Sequence, residues 1–237
     1  MIITNQTTGN DSYTKLLIQS NNANGSTTFT DLSGSVNMIT GYGGIAHSTS
    51  QYKNGKSSIY FDGIDDYLSI PDFAGLNFGI SDFTIEFFYY PTLLNTYHDI
   101  INQQDYKTAT AHDDTSWLFI ISQTGIYADY IDFTVSEDGD LNNFISLKSL
   151  SPLSENQWYH IAGVRRNDNI SLYVNGKKQS ESSISFSLHN SSLPVMIGRH
   201  SGIDGGGTMI KGYLDQICIK KGISKYNGNF TPPARMW

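Results

Sequence analysis

Tyr106, His112, Asp113 and Asp114 share one segment, residues 102–116 (NQQDYKTATAHDDTS), which has no apolar periodicity and reads as a long surface loop. A ring that can stack on the apolar face of a sugar, beside acids and an imidazole that hydrogen-bond hydroxyl groups, is the equipment of carbohydrate recognition. These four are therefore the candidate ligand-binding residues, with Tyr127, Tyr130 and the 200–208 loop as further contributors. A second group, Asp62, Asp65 and Asp66 in FDGIDDYL, offers oxygens to a cation. The same Asp62-Gly63 pair is hairpin chemistry, and the other two acids suit a solvated turn.

The remaining reactive side chains lack partners for catalysis. His47, His98, His112, His160, His189 and His200 show neither HExxH nor H-x-H spacing, which argues against zinc. Cys218, the single cysteine, excludes an internal disulfide and lies in the apolar run GYLDQICIK, where a free thiol behaves as a small buried hydrophobe. Glu86 stands alone in its strand, without the second carboxylate that glycoside hydrolysis requires. Gly205-Gly206-Gly207 is not followed by the Lys-Ser/Thr of a phosphate-binding loop.

Strands have to position these residues, and they are clearest at 158–176, WYHIAGVRRNDNISLYVNG. Two alternating runs flank the polar turn Arg166-Asn167-Asp168-Asn169, and Asn175-Gly176 opens a further hairpin, which predicts an antiparallel meander. The face carrying Trp158, His160 and Val164 is expected to build the interior. Residues 83–90 (FTIEFFYY) have bulk on both faces and end at Pro91, the pattern of a central strand. Shorter runs at 13–19, 57–62, 67–70, 117–122, 131–135, 144–147, 184–188, 195–198 and 212–219 complete an all-β pattern with no convincing helix.

At 237 residues the chain suits one β domain, since sandwiches run to about 200–250 residues as a single unit. We divide it into a polar N-terminal arm, 1–14, and a single domain, 15–237. A net charge of −7 argues against nucleic acid and anionic membrane surfaces as partners, and is compatible with neutral sugars or a divalent cation. No run approaches a membrane span, so membrane insertion is not expected, and the start lacks the basic and apolar stretches of a signal peptide. An oligomer stays open.

Four pieces carry a family likeness: SSIYFDGIDDYLSIP (57–71), SDFTIEFFYYPT (81–92), WYHIAGVRRNDNISLYVNGKK (158–178), and LPVMIGRHSG with KGYLDQICIKKGISKYNGNFTPP (193–233). Together they resemble the laminin G-like jelly-roll domains of the concanavalin A-like lectin/glucanase superfamily, in the form found in bacterial surface proteins and phage virion or tail proteins. The resemblance covers residues 15–233 and implies an all-β, antiparallel jelly-roll sandwich. Ligands would be met at loops on one rim or on a concave sheet face. It also implies a non-enzymatic binding or adhesion module contacting carbohydrate or a protein partner. A purely structural virion subunit and a glycoside hydrolase of the same fold are the alternatives, although the E-x-D-x-x-E arrangement of the glucanase relatives is absent. A calcium ion recurs near one edge of such sandwiches, and its candidate ligands here are Asp31, with carbonyls of the loop to Asn37, and Asp215. The ending KGISKYNGNFTPP resembles phage and viral endings. That implies a virion surface, or else a bacterial cell surface or secretion, with other virion or surface proteins as partners. The chain departs from the family pattern at Phe88, where Trp is frequent, at Asp215-Gln216, where paired acids are frequent, and at Cys218, where a basic residue is usual.

Overall fold

A computed structural model of the chain describes residues 11–94, 96–105, 114–122, 125–140, 142–200 and 209–235. The strands are β1 (Thr14–Ile18), β2 (Thr40–Tyr42), β3 (Ala46–Ser48), β4 (Ser58–Asp62), β5 (Tyr67–Ile70), β6 (Phe83–Pro91), β7 (His98–Gln103) and β8 (Trp117–Ile121). They continue as β9 (Ile131–Ser136), β10 (Phe144–Lys148), β11 (Tyr159–Arg166), β12 (Asn169–Val174), β13 (Lys177–Ser183), β14 (Val195–Ile197) and β15 (Lys211–Lys221). One antiparallel sheet has the order β13-β12-β11-β6-β15-β4-β3, with β1 also paired to β15. The other has the order β10-β9-β8-β7-β14-β5-β2. The two pack as a jelly-roll sandwich, and are called below the β6 sheet and the β7 sheet. Among the described residues no helix is long and apolar enough to cross a membrane.

The interior is made by alternate residues of the central strands, because side chains alternate across a strand. From β6 come Phe83, Ile85, Phe87 and Tyr89, and from β8 and β9 come Phe119, Ile121 and Phe133. Phe87 meets Phe119 edge-on at 5.3 Å, and Phe119 stacks on Phe133 at 4.4 Å. Gly163 of β11 lets that ring pair approach the backbone, since a Cβ there would lie 2.6 Å from each ring.

Gly163 therefore marks the inner face of β11, which corrects the expectation that Trp158, His160 and Val164 face inward. Tyr159 and Ile161 enter the main core, whereas Ala162 and Val164 pack outward under Tyr226 and Phe230, and Trp158 packs near Phe88 and Cys218. The physical reason is that both faces of β11 are buried, so apolar alternation cannot say which one meets the other sheet.

Four further differences follow. β7 lies where a loop was expected to begin, because Asp99, Asn102 and Gln103 interrupt its apolar pattern. β13 is a polar edge strand, and 184–188 forms no strand although Ile184 and Leu188 reach the core. Residues 11–14 are tied to the sandwich: Thr14 N donates to Asp11 Oδ1 at 2.8 Å, and Asp11 pairs with buried Lys220 at 2.6 Å. Residues 1–10 of the expected arm lie outside the described residues.

Candidate functional site

The polar residues of β7 converge on the outer face of its sheet. A bulge between Asp99 and Ile101 resets the alternation, so that Ile100 and Ile101 both join the core while Asp99 and Asn102 stand outward opposite Ile120 and Leu118. Both outward residues are nonetheless completely buried. Gln104 Nε2 donates to Asp99 Oδ1 at 2.8 Å, and Asn102 Nδ2 donates to the Arg199 carbonyl at 2.9 Å. Asp99 Oδ2, Asn102 Oδ1 and Ser116 Oγ have no hydrogen-bond partner among the described residues. Buried polar atoms are nearly always paired, and an orphan costs about 1–3 kcal/mol, so this row wants donors and acceptors that the described residues do not supply.

Arg199, just beyond β14, carries this row to the rim. Its guanidinium lies 4.7 Å from the centre of the Tyr67 ring, and Tyr67 stacks on Tyr42 at 4.5 Å with planes 7° apart. The stack follows from register, because Tyr42 of β2 pairs directly with Tyr67 of β5. Tyr42 is 44% exposed, and so presents a flat apolar surface to solvent. Burial pushes the Asp99 carboxyl up to about 7, against the hydrogen bond from Gln104 and the charge of Arg199. Near neutrality this carboxyl can thus either donate or accept. Two amides, a switchable carboxyl, a guanidinium and a ring stack suit recognition of hydroxyl groups rather than covalent chemistry.

The expected ligand residues divide. Tyr106, His112 and Asp113 lie outside the described residues, as do 201–208. Asp114 accepts from His189 Nε2 at 2.8 Å and from the Ser192 hydroxyl at 2.7 Å. Burial works against its charge, yet those bonds hold its carboxyl below the usual carboxylate range, and it fastens the start of β8 to the turn before β14. Tyr127 and Tyr130 meet edge-on at 5.6 Å in the β8–β9 connection, where the Lys148 ammonium, paired with Asp132, lies 5.1 Å from the Tyr127 ring.

Asp31 is ringed by donors, whereas Asp215 has donors at one oxygen and none among the described residues at its buried Oδ1. Asp31 Oδ1 accepts from Leu17 N and Ser33 N at 2.9 Å, while Oδ2 accepts from the Ser33 hydroxyl, Asn37 N and Asn37 Nδ2 at 2.8 Å. Asp215 Oδ2 accepts from Lys53 N at 3.1 Å and Asn54 N at 2.9 Å, and burial pushes its carboxyl up to about 7. Calcium requires about six to eight oxygen ligands, whereas both oxygens of Asp31 face N–H and O–H hydrogens and Asp31 shares no partner with Asp215, so the two do not form one calcium donor set. In the β4–β5 turn, Asp62, Asp65 and Asp66 offer oxygens within 4.8 Å of one another. Asp62 Oδ1 accepts from Ile64 N at 2.8 Å and Asp66 Oδ2 from Asp62 N at 3.0 Å, which is the hydrogen bonding of the turn itself.

Glu86 stands on the opposite outer face, that of the β6 sheet, and is completely buried. Its Oε1 pairs with the Lys225 ammonium; its Oε2 accepts from the Tyr226 hydroxyl at 2.6 Å and lies 3.1 Å from His160 Nε2. Burial opposes the charge, but His160 and Lys225 outweigh it and hold the carboxyl at about 2. No carboxylate is among its partners, so the network lacks the acid pair of a glycosidase. Tyr226 and Phe230 stack at 3.5 Å over this face. Phe230 N donates to Gly176 O at 2.8 Å, and a Cβ on Gly176 would lie 2.0 Å from the Phe230 carbonyl. With φ of 50° and 73°, Asn175-Gly176 is thus both a hairpin turn and the seat of the chain's ending. Cys218 is buried beside this network, which pushes its thiol up to about 12 and leaves it unreactive.

A laminin G-type family model, described as concanavalin A-like lectin/glucanases superfamily, matches residues 61–222. The chain belongs to this superfamily. A comparison with curated proteins gives no match. Among solved structures, the chain is similar to the binding domain of Paraclostridial Mosquitocidal Protein 1, with a TM-score of 0.66, 19% identity, and coverage of 88% of this chain and 49% of that one. It is similar to domain 4 of AbnA, a GH43 extracellular arabinanase from Geobacillus stearothermophilus, in complex with arabinotriose (TM-score 0.64, 16% identity, 89% and 93% covered). A third likeness is to the binding domain of botulinum neurotoxin serotype D/C (TM-score 0.61, 14% identity, 88% and 48% covered). The chain spans about half the length of the two toxin domains. At these identities the likeness is one of fold.

Asp99, Asn102, Tyr42, Tyr67 and Arg199 were absent from the sequence-based candidates. The signal for the first two is the polar spacing within HDIINQQD, which a bulge conceals; no sequence signal brings Arg199 over Tyr67.

Proposed function

We propose that the chain is a non-catalytic carbohydrate-binding module that takes its ligand on the outer face of the β7 sheet. The observation that carries the reading is the row of buried polar atoms without partners, running to an exposed stack of two tyrosines and an arginine. A sugar suits the exposed part of this face: its C–H side matches the Tyr42 ring and its hydroxyls the Arg199 guanidinium, while the buried Asn102 amide beneath holds the Arg199 backbone in place. The domain solved with arabinotriose supports this ligand class through likeness of fold. The non-catalytic part rests on Glu86, whose oxygens are taken up by Lys225, Tyr226 and His160.

The test is an array of neutral oligosaccharides probed with the wild type, Asn102→Ala and Tyr42→Ala. The reading expects at least one neutral saccharide to bind, each variant to bind it about tenfold more weakly, equivalent to ~1.4 kcal/mol, and no reducing sugar to be released. A blank array with folded protein, or binding unchanged in both variants, contradicts it.

A further inference from the structure

A cleft of about 290 Å³ opens on the β6 sheet, between the β11–β12–β13 meander and the residues after β15. Arg166, Asn167, Asn169, Tyr173, Tyr226 and Asn227 line it. The side-chain amides of the three asparagines and the guanidinium of Arg166 make no hydrogen bond or ion pair among the described residues, although they converge on one space. The other charges in the lining are spent on each other. Lys178 pairs with Glu181 at 2.7 Å, and the buried Ser171 hydroxyl donates to Glu181 Oε1 at 3.1 Å. The nearby acids Asp82 and Asp168 act on Arg165 and lie outside the lining. Among the described residues Arg166 is therefore the unpaired charge of the lining itself, with Asp82 taken up by Asn167 N at 2.7 Å beside it.

The cleft is also built before any ligand arrives. Tyr226 is held by its stack on Phe230 at 3.5 Å and by its hydrogen bond to Glu86, so Asn227 beside it is carried on a fixed wall. A preformed wall lowers the ordering cost of binding. The volume sits at the small end of ligand pockets, about 300–1,000 Å³, which suits a single ring rather than a chain of them.

We infer that this cleft is a second binding site, for one acidic sugar unit whose oxyanion pairs with Arg166 and whose hydroxyls meet the amides of Asn167, Asn169 and Asn227. A planar guanidinium takes a carboxylate or sulfate through two parallel hydrogen bonds, and planar amides pair with neighbouring hydroxyls. The site shares no residue with the β7-sheet face, so either assignment can fail alone.

Amide chemical-shift mapping with methyl glucuronide, a methyl glucoside sulfate and uncharged methyl glucoside tests it. The charged sugars are expected to shift residues 166–171 and 226–227, and whichever binds more tightly identifies the oxyanion. Arg166→Gln is expected to weaken the charged sugar about tenfold and leave the neutral one unchanged, whereas Asn169→Ala weakens both. Both positions are exposed, and a thermal melt of each variant confirms that it is folded. No shift at these residues with either charged sugar, equal binding by Arg166→Gln, or a neutral sugar bound as tightly as the charged ones overturns the inference.

Discussion

The two outer faces of the sandwich are made from the same kind of strand and finished in different ways. Over the β6 sheet the chain's own ending is the cover: Tyr226 and Phe230 lie on Ala162, Val164 and Tyr173, and both oxygens of Glu86 are engaged. Over the β7 sheet Asp99 and Asn102 are buried just as completely, yet each keeps an oxygen without a partner among the described residues. Equal burial moves the two carboxyls in opposite directions, Glu86 down to about 2 and Asp99 up to about 7. The company each keeps makes the difference: an ammonium, an imidazole and a phenol for one, a single amide hydrogen bond and an arginine's field for the other. Around Glu86 the first face is completed within the chain, with the Arg166 cleft open beside it, and the second keeps polar atoms that the described residues do not satisfy.

The largest effect is expected where the finished face is opened. Glu86→Ala strands the Lys225 ammonium and is predicted to cost about 3–5 kcal/mol in urea unfolding at neutral pH. A loss below about 1 kcal/mol would mean that stacking alone holds the ending. In the wild type this contribution is present above the unfolded value of 4.5 and is lost as pH falls toward about 2, an effect of about 3 kcal/mol across that window. Asp99 carries the opposite sign. Its folded value near 7 exceeds the unfolded 3.8, so its contribution is complete below pH 3.8 and declines as pH rises to about 7. Asp99→Asn should therefore gain up to about 4 kcal/mol above pH 7 and nothing below pH 4, read as urea midpoints at the two pH values. A variant with the same gain at both would place the cost of Asp99 in its packing instead.

Gly163→Ala pushes a methyl group toward Phe119 and Phe133 and is predicted to cost about 1–3 kcal/mol, a control inside the sandwich that belongs to neither outer face. Calcium and EDTA come next. Because both oxygens of Asp31 are taken up by donors and Asp215 shares no partner with it, neither reagent should move the melting temperature. A bound ion at a hundred times its dissociation constant would instead add about 2.7 kcal/mol and be plain in the melt. Smallest in stability is Tyr42→Ala, expected to stay within about 0.5 kcal/mol because its ring is exposed, while still weakening saccharide binding about tenfold.

Much of this architecture was legible in the chain. The alternation of residues 158–176 and the Asn175-Gly176 turn predict the β11–β12–β13 meander, and the bulk on both sides of 83–90 predicts the central place of β6. What alternation cannot report is which buried face meets the other sheet, and Gly163 settles that only once Phe119 and Phe133 are in place. The bulge at Asp99–Ile101 hides the polar face of β7, because one extra residue breaks the period of two on which strand reading relies. The ending KGISKYNGNFTPP was read for its likeness to virion proteins. Here Lys225, Tyr226 and Phe230 are spent on sealing the β6 sheet around Glu86, which gives the pattern a structural use.

The most direct measurement is hydrogen exchange of the intact chain with and without the neutral saccharide that binds best on the array. If the unfinished face is the binding surface, protection rises at residues 99–104 and 196–199 and stays unchanged at 84–88 and 160–162. Protection confined to the sealed β6-sheet face, or none at residues 99–104 under saturating sugar, would contradict the account.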